Sequence, residues 1–427
     1  MKEAIPIAEI GKHEGREVFV RGWIHRTRES KGIVFIVLRD SSGIVQCVVK
    51  EGVPGFKDSQ KALMESSVML SGLVRKDSRA PGGYEIQASE FKVVGFADVF
   101  PIKDQQSTEL LLDYRHLWVR SQRMTQIFKI RSDVFRAIHD FFHSRGFFEI
   151  QSPSITSSAC EGGSTLFELK YFDQKAYLTQ SWQLYAEALA AGLEKIYCIA
   201  PSFRAERSRT RKHLAEYWHA EAEMAWWGHE ESLKLQEELI WFVVQEIVKK
   251  RSGELKELGR SPEELLKMKP PYRKLTYKEA LELLKKDGMK IEWGADFGAD
   301  EEKELTKHFD RPFFVTEYPK EAKVFYMKEN SKDTKTVLCA DMFAPEGYGE
   351  IIGGSERETD YKKLVQRIKD TGGKVKDYEW YLDIRRYGSF PHSGFGLGVE
   401  RLVMWICKLD HIRDAIAFPR TISRVYP

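Results

Sequence analysis

The segment FRAERSRTRKHLAEY, residues 203–217, places five arginines or lysines and one histidine within fifteen residues. It opens on an aromatic-Arg-x-Glu run that reads as strand, and strand-like text resumes in WHAEAEMAW, residues 218–226. Two β-like arms around a cationic loop describe a hairpin, and such a loop suits a polyphosphate. Arg204, on an arm and not at the tip, is held stiffly enough for forked hydrogen bonds to one phosphate, while loop cations such as Arg211 and His213 meet the outer ones. Glu206, two residues on, is expected on the same strand face as Arg204. A plain surface hairpin with solvated charges fits the same pattern.

Two further constellations bear on the same chemistry. In CADMFAPEGYGEIIGGSER, residues 339–357, Asp341 and Glu350 sit on opposite arms of a turn rich in glycine and proline. Both carboxylates can then address one hard cation; magnesium takes one or two carboxylates plus phosphate oxygens, although the spacing equally allows two unrelated surface acids. In GFGLGVERL, residues 394–402, glycine occupies every second position before Glu400 and Arg401. That spacing strips side chains from one face of a strand, so that a flat ring can lie against the backbone. Neither G-x-G-x-x-G nor G-x-x-x-x-G-K-[ST] occurs, so a triphosphate would be held by neither usual glycine-rich cradle.

The elements that must position these residues fall into two parts. At 427 residues the chain exceeds one ordinary core, and two domains of unequal size are expected. Residues 1–101 read as five short strands (EVFVRGWIHR, IVFIVLRD, IVQCVVK, SVMLSGLV and YEIQASEFKVV) with turn signals between them, which suggests a closed barrel of the OB type. Residues 102–130 lose the alternation and read as a hinge followed by the approach to a helix. From 131 to 427 the fold class is α+β: strands arrive as neighbouring hairpins with helices grouped between them, which favours an antiparallel sheet flanked by helices. In RSDVFRAIHDFFHSRGFFEIQSP the residues Val134, Phe135, Ile138, Phe141 and Phe142 form one helical stripe; Gly146 supplies the left-handed stop, and an extended run closes at Pro153.

Composition narrows the partners. A formal charge of +3 leaves any polyanion to local patches. Five scattered cysteines without a C-x-x-C pair argue against a disulfide framework or a zinc ribbon. No apolar run approaches a membrane span and no secretory signal opens the chain, so the cytoplasm is the expected compartment. Asn330 is the only asparagine among abundant Lys, Arg and Glu, a bias in the direction reported for proteins from hot environments.

Taken in order, the Pro153 helix-strand unit, F-R-x-E with its loop, and G-x-G-x-G-x-E-R resemble the class II aminoacyl-tRNA synthetases. A barrel ahead of the catalytic domain is the layout of their aspartyl, asparaginyl and lysyl subgroup. CEGGSTLF, SRTRKHLAEYWHAEAE and APGGY are most similar to the asparaginyl members. The resemblance implies a catalytic set of Arg204, Glu350 and Arg401. Arg204 would bind the α-phosphate of ATP, Glu206 would read the adenine amino group, and Arg211 and His213 would lie toward the outer phosphates. Tyr217 and Arg401 would sandwich adenine, and Asp341 and Glu350 would bind Mg2+. For the amino acid it implies Glu161 and Gln183 at the α-amino group and Arg357 at the side-chain oxygen, with Ser181, Arg204 and Glu221 also among the binding residues. On the barrel, Phe35 would stack on an anticodon base and Gln46 would read the central uracil, although Phe35 within IVFIVL also fits interior packing. The turn RKDSRAPGGY is the candidate reader of the third base.

Asparagine and aspartate differ by an amide against a charged oxygen, and the chain departs from the aspartyl pattern twice. Aspartyl enzymes carry a lysine in QSPQ-x-x-K that helps neutralise the substrate carboxylate; QSWQLYA has Ala186 there. Where they have an Asp in the second motif strand, this chain has Glu221, long enough to accept from an amide NH2 and a like charge to a carboxylate. At a buried site such opposition discriminates by several kcal/mol, roughly 10³-fold. Gly353 in EIIGGS stands where aspartyl enzymes commonly place a serine beside the metal. The implied partners are ATP, L-asparagine, tRNA(Asn) and a second copy of the chain docked through the Pro153 unit, with no membrane. Still open are an aspartyl enzyme charging one or both tRNAs, an ammonia-dependent ligase on the same core, and a non-catalytic RNA-binding relative. The barrel speaks against the ligase; retention of Arg204, Glu350 and Arg401 speaks against the last.

Overall fold

The computed structural model describes residues 3–103, 106–157, 159–160, 165–207 and 210–427. The chain divides into two compact units, Met1–Tyr114 and Arg115–Pro427.

In the first unit, β1 (Glu17–Ser30), β2 (Ile33–Arg39), β3 (Ile44–Lys50), β4 (Ser67–Lys76) and β5 (Tyr84–Gly95) close a barrel in the order β1-β2-β3-β5-β4. Period-two patterning sets the inside: Val34, Ile36 and Leu38 of β2 are buried, while Ile33, Phe35 and Val37 face outward. Phe35 is therefore not interior packing. The long β1 pairs with both β2 and β4, and it can do so because Gly22 has no side chain: a Cβ there would sit 2.1 Å from the Arg39 carbonyl oxygen.

The second unit is built on an eight-stranded sheet. Its strands are β6 (Phe148–Glu149), β10 (Lys195–Phe203), β11 (Glu216–Ala225), β12 (Arg273–Thr276), β13 (Phe313–Thr316), β14 (Cys339–Ala344), β15 (Gly349–Glu356) and β16 (His392–Gly398), in the order β12-β13-β14-β15-β16-β11-β10-β6. The expectation of an antiparallel sheet holds for the six central strands, whereas both edge pairs, β12 with β13 and β6 with β10, are parallel. A small sheet of β7 (Ile155–Thr156), β8 (Glu168–Tyr171) and β9 (Gln174–Leu178) stands apart in the order β7-β9-β8.

The helix Gln122–Ser144 begins earlier than the sequence pattern suggests, because Ser121 accepts from the Met124 N–H as an N-cap. Ser107 likewise caps a helix over Thr108–Asp113. Much of the stretch read as a hinge and the approach to a helix, 102–130, is thus helical. Val134, Ile138, Phe141 and Phe142 are buried, joined by Met124, Ile127 and Ile130, and Gly146 ends the run at φ 74°. This helix and His229–Glu257 cover one face of the sheet, against Ala220, Ala222 and Met224 of β11, Ile352 of β15 and Leu397 of β16. The opposite face of the same strands carries the site. All five cysteines are buried and none is in a disulfide, and among the described residues no helix is long and apolar enough to cross a membrane.

Near the C-terminal end His411 precedes a helical turn at Ile412–Asp414, and its Nδ1 accepts from the Arg413 N–H at 3.2 Å. Burial, then Arg413 and Arg211, push its pKa down to about 4. An unfolded histidine titrates near ~6.5, so the unfolded chain binds the extra proton in between. The stability from His411 is complete above that value and is lost as the pH falls toward 4. Urea unfolding at pH 7 and pH 5 should show His411→Asn, which keeps an acceptor, losing about 1 kcal/mol less than the parent, about half the full linkage value because solvent screens the part-exposed ring; equal losses would reject the assignment.

Candidate active site

β10 pairs with β11 down to Phe203 opposite Glu216, so the hairpin expected from the sequence is present and Arg204 is the first residue beyond the ladder. Its N–H donates to the Ala215 carbonyl at 3.0 Å. Glu206 is therefore past the strand, not on its face, yet its carboxylate still lies 4.0 Å from the Arg204 guanidinium. Arg204, Glu206, His213, Tyr217, Glu350 and Arg401 line one cavity. The Arg204 guanidinium carbon stands 5.6 Å from the Tyr217 ring centre. Arg401 reaches from the helix Val399–Ile406, with Nη1 3.1 Å from both the Glu350 carbonyl and its carboxylate.

The structure places His213 on the wall of this cavity and Arg211 off it. Burial, then Arg401 and Lys212, hold the His213 pKa down at about 4, so near neutrality the imidazole is uncharged. Arg211 is not among the residues lining this cavity; it donates to the Gly347 carbonyl and borders an adjoining hollow. Lys212 lines the cavity and is buried against Glu302. Glu302, on the helix Ala299–Leu305, also accepts the Glu350 N–H at 2.7 Å. Gly349 leaves room for it, since a Cβ there would lie 2.2 Å from the Glu302 carboxylate.

A second cleft, of about 250 Å³, adjoins the first and shares Arg204, His219, Glu350 and Gly396 with it. Its wall holds Ser181, Gln183, Glu221, Asp341 and Arg357 of the expected residues. Glu161 lies outside the described residues. Buried Glu221 accepts from the Ser181 hydroxyl and, at 2.9 Å, from the Trp182 N–H; burial raises its pKa against these bonds. A carboxylate has about four acceptor sites, so two remain for a ligand. Arg357 makes a fork to Glu223, Nε at 3.0 Å and Nη2 at 2.8 Å, and donates to Ser355 Oγ at 2.8 Å.

Glycines of β16 have a use other than the one expected. A Cβ at Gly394 would fall 1.9 Å from the Glu223 carboxylate, and one at Gly396 would fall 2.3 Å from the His219 ring. The bare strand face thus admits the protein's own charged groups. Glu223, His219 and Glu302 were missed in the sequence. The first two carried a signal: HAEAEM alternates ionisable with small apolar residues on a strand flanked by strands, which places charges at one interior face.

Asp341 and Glu350 converge on Gly353, where a Cβ would lie 3.3 Å from an oxygen of each. Glu350 remains anionic: burial works against it, but Arg401, Lys323, Lys212 and Arg204 bring its pKa to about 2. Burial takes Asp341 the other way, to about 7, opposed by Lys323, whose Nζ is 2.8 Å from it and 3.5 Å from Asp296. Two hard-oxygen donors around a side-chain-free gap fit magnesium; Lys323 competes with the ion for Asp341.

With this geometry in hand, comparison with known proteins is decisive. The family model described as tRNA synthetases class II (D, K and N) matches residues 107–422, and that of the OB-fold nucleic acid binding domain matches residues 18–94. The asparagine–tRNA ligase of Thermococcus gammatolerans is 51% identical over 416 residues, 97% of each chain. The asparaginyl-tRNA synthetase of Pyrococcus horikoshii, crystallised with asparaginyl-adenylate, superposes with a TM-score of 0.97 at 48% identity, covering 100% of both chains. The chain belongs to the asparaginyl branch of the class II aminoacyl-tRNA synthetases. A structure described as a putative aspartyl-tRNA synthetase, from Leishmania major, has TM-score 0.88 at 25% identity, so the family fold is shared while sequence separates the branches. The resemblance read from the motifs, and the choice of asparaginyl over aspartyl members, agree with this assignment.

The Lys212–Glu302 pair gives the site a testable support. Lys212→Met leaves a buried carboxylate uncompensated and should cost about 3–5 kcal/mol in urea unfolding, while Lys212→Met with Glu302→Met should regain most of it. A single variant losing under about 1 kcal/mol would show that the pair is not desolvated as described.

Proposed function

We propose that the chain activates L-asparagine with ATP to the adenylate and transfers the asparaginyl group to the 3′ end of tRNA(Asn). What supports this reading above all is the junction of the two cavities at Arg204 and Glu350. A nucleotide in one and an amino acid in the other would bring carboxylate and α-phosphate together beside a guanidinium. Adenine lies between Tyr217 and Arg401, with Glu206 at its amino group; His213 and Lys212 face the outer phosphates. The asparagine carboxylate attacks the α-phosphorus in line, Arg204 stabilises the charge that develops, and pyrophosphate leaves. Glu350 and Asp341 would hold Mg2+, which supplies charge neutralisation on the phosphates when bound. The terminal ribose hydroxyl of tRNA then attacks the adenylate carbonyl and AMP departs. Neither step asks for a dedicated general base among the motif residues; positioning and fixed charge carry the rate.

Recognition of the amide rests on Arg357 toward its oxygen and Glu221 toward its NH2, with Gln183 and Ser181 near the α-amino group. On the barrel, outward-facing Phe35 supports the anticodon reading. Arg28, its β1 partner, lies 4.8 Å over the ring, and Gln46 is held to Glu85 at 3.1 Å on the neighbouring strand. Exposed Phe148 and Ile155, on either side of Pro153, support a symmetric homodimer through that unit, and the cytoplasm is the compartment that goes with the reaction.

Pyrophosphate exchange tests the reading. Asparagine should support exchange and aspartate should not compete; strong exchange with aspartate would overturn the choice of substrate. Arg204→Ala should abolish exchange, and near-parental exchange would remove Arg204 from its role. Phe35→Ala should leave exchange intact while raising the KM for tRNA about tenfold, as loss of one stacked base implies; an unchanged KM would take Phe35 off the tRNA.

A further inference from the structure

Behind the amino-acid cleft lies a buried charged cluster that none of the roles above uses. The helix Gln183–Leu193 starts at the cleft wall with Gln183, and Glu187 follows one turn later on the same face. Glu187 is fully buried and is not part of the cleft lining. Its Oε1 accepts from Gln183 Nε2 at 3.0 Å, and its Oε2 lies 2.6 Å from Arg385 Nη2 and 2.9 Å from His392 Nε2. The Tyr381 hydroxyl is 2.8 Å from both oxygens, and Arg357 Nε stands 4.0 Å from Oε1.

We propose that Glu187 is a specificity-determining positioning residue: without touching the substrate, it sets the cleft to accept a neutral amide and refuse a carboxylate. This rests on the asparagine-activating function proposed above. Two consequences of its placement carry the inference. Because the Gln183 NH2 is tied back to Glu187, the Gln183 carbonyl oxygen is left as the group offered to the cleft, an acceptor matched to an ammonium. The second consequence is charge. Around the Arg357 end of the cleft the buried carboxylates include Glu187, Glu221 and Glu223, the guanidiniums of Arg357 and Arg385 are paired to Glu223 and Glu187, and the His392 ring also sits on Glu187. Arg357 is already forked to Glu223 and has Glu187 behind it, so its charge is spent within the protein while N–H groups stay available to a carbonyl oxygen. A further carboxylate would meet Glu221 and Glu223 beside guanidiniums already paired within the protein; an amide would meet no such opposition.

The test compares kcat/KM for asparagine and aspartate in pyrophosphate exchange. Parent protein without asparagine exchange would sink the proposed function itself, a result separate from those that follow. Glu187→Gln removes the charge and keeps an acceptor; the Asn:Asp ratio should fall about tenfold or more, chiefly through a lower KM for aspartate. Arg385→Gln removes the opposing charge, so the ratio should rise. The double variant Glu187→Gln with Arg385→Gln should return toward the parent. A merely structural cluster would depress both substrates together and leave the ratio unmoved in all three, and that result would overturn the proposal. So would shifts of the same sign in the two single variants. Should Glu187→Gln fail to fold, the direction of the Arg385→Gln shift decides alone.

Discussion

Three ionisable residues on the concealed face of one strand govern the rest of the architecture. His219, Glu221 and Glu223 of β11 are buried with strands on both sides, and a buried charge is tolerated only when it is paired and hydrogen-bonded. Each is met by a group from a different element. Ser181 and the Trp182 N–H, at the start of a helix, serve Glu221; Arg357, just past β15, serves Glu223; the bare backbone of β16 leaves room for His219. The hairpin, the glycine strand and the helix entry are thereby fixed relative to one another before any substrate arrives.

That requirement explains why glycine recurs on β16 and at two positions of β15. Gly394 and Gly396 face side chains arriving from β11, Gly349 faces Glu302, and Gly353 faces Asp341 and Glu350. Side chains added at the first three would collide with a carboxylate or an imidazole at under 2.5 Å. The sheet has exchanged its own side chains on one face for incoming charged ones, and the helices Gln122–Ser144 and His229–Glu257 supply the apolar burial on the other. A face that contributes little hydrophobic stabilisation is carried by a face that contributes much.

Much of this was legible in the sequence because period and punctuation are local. The alternation in IVFIVLR announced β2, and the apolar stripe through Val134, Ile138 and Phe142 announced its helix. The motifs placed Arg204, Tyr217, Glu350 and Arg401 in a single cavity. What stayed hidden depended on distant partners. Nothing local to ADEEKEL marks Glu302 as the group that reaches Lys212 and the Glu350 N–H, and nothing in YPKEAKVFYM marks Lys323 as the partner of Asp341. The helices within 102–130 stayed hidden for the opposite reason: Ser107 and Ser121 were local signals, ordinary N-caps, passed over because the apolar pattern around them is weak.

Diffuse and localised charge place different demands on a fold that handles two very different ligands. A nucleotide triphosphate presents large, diffuse charge, and Lys212 and His213, the groups proposed to face its outer phosphates, stand on the chain between β10 and β11. An amino-acid side chain presents one small polar group, and telling an amide from a carboxylate requires fixed charges whose solvation cannot rearrange to rescue the wrong ligand. Arg357, Glu221 and Glu223 meet that condition because each sits on or directly beside a paired strand and is tied at two or more atoms. Were the same three residues moved to a loop, the contacts proposed from Arg357 and Glu221 to asparagine would survive, while the penalty against aspartate would relax into solvent.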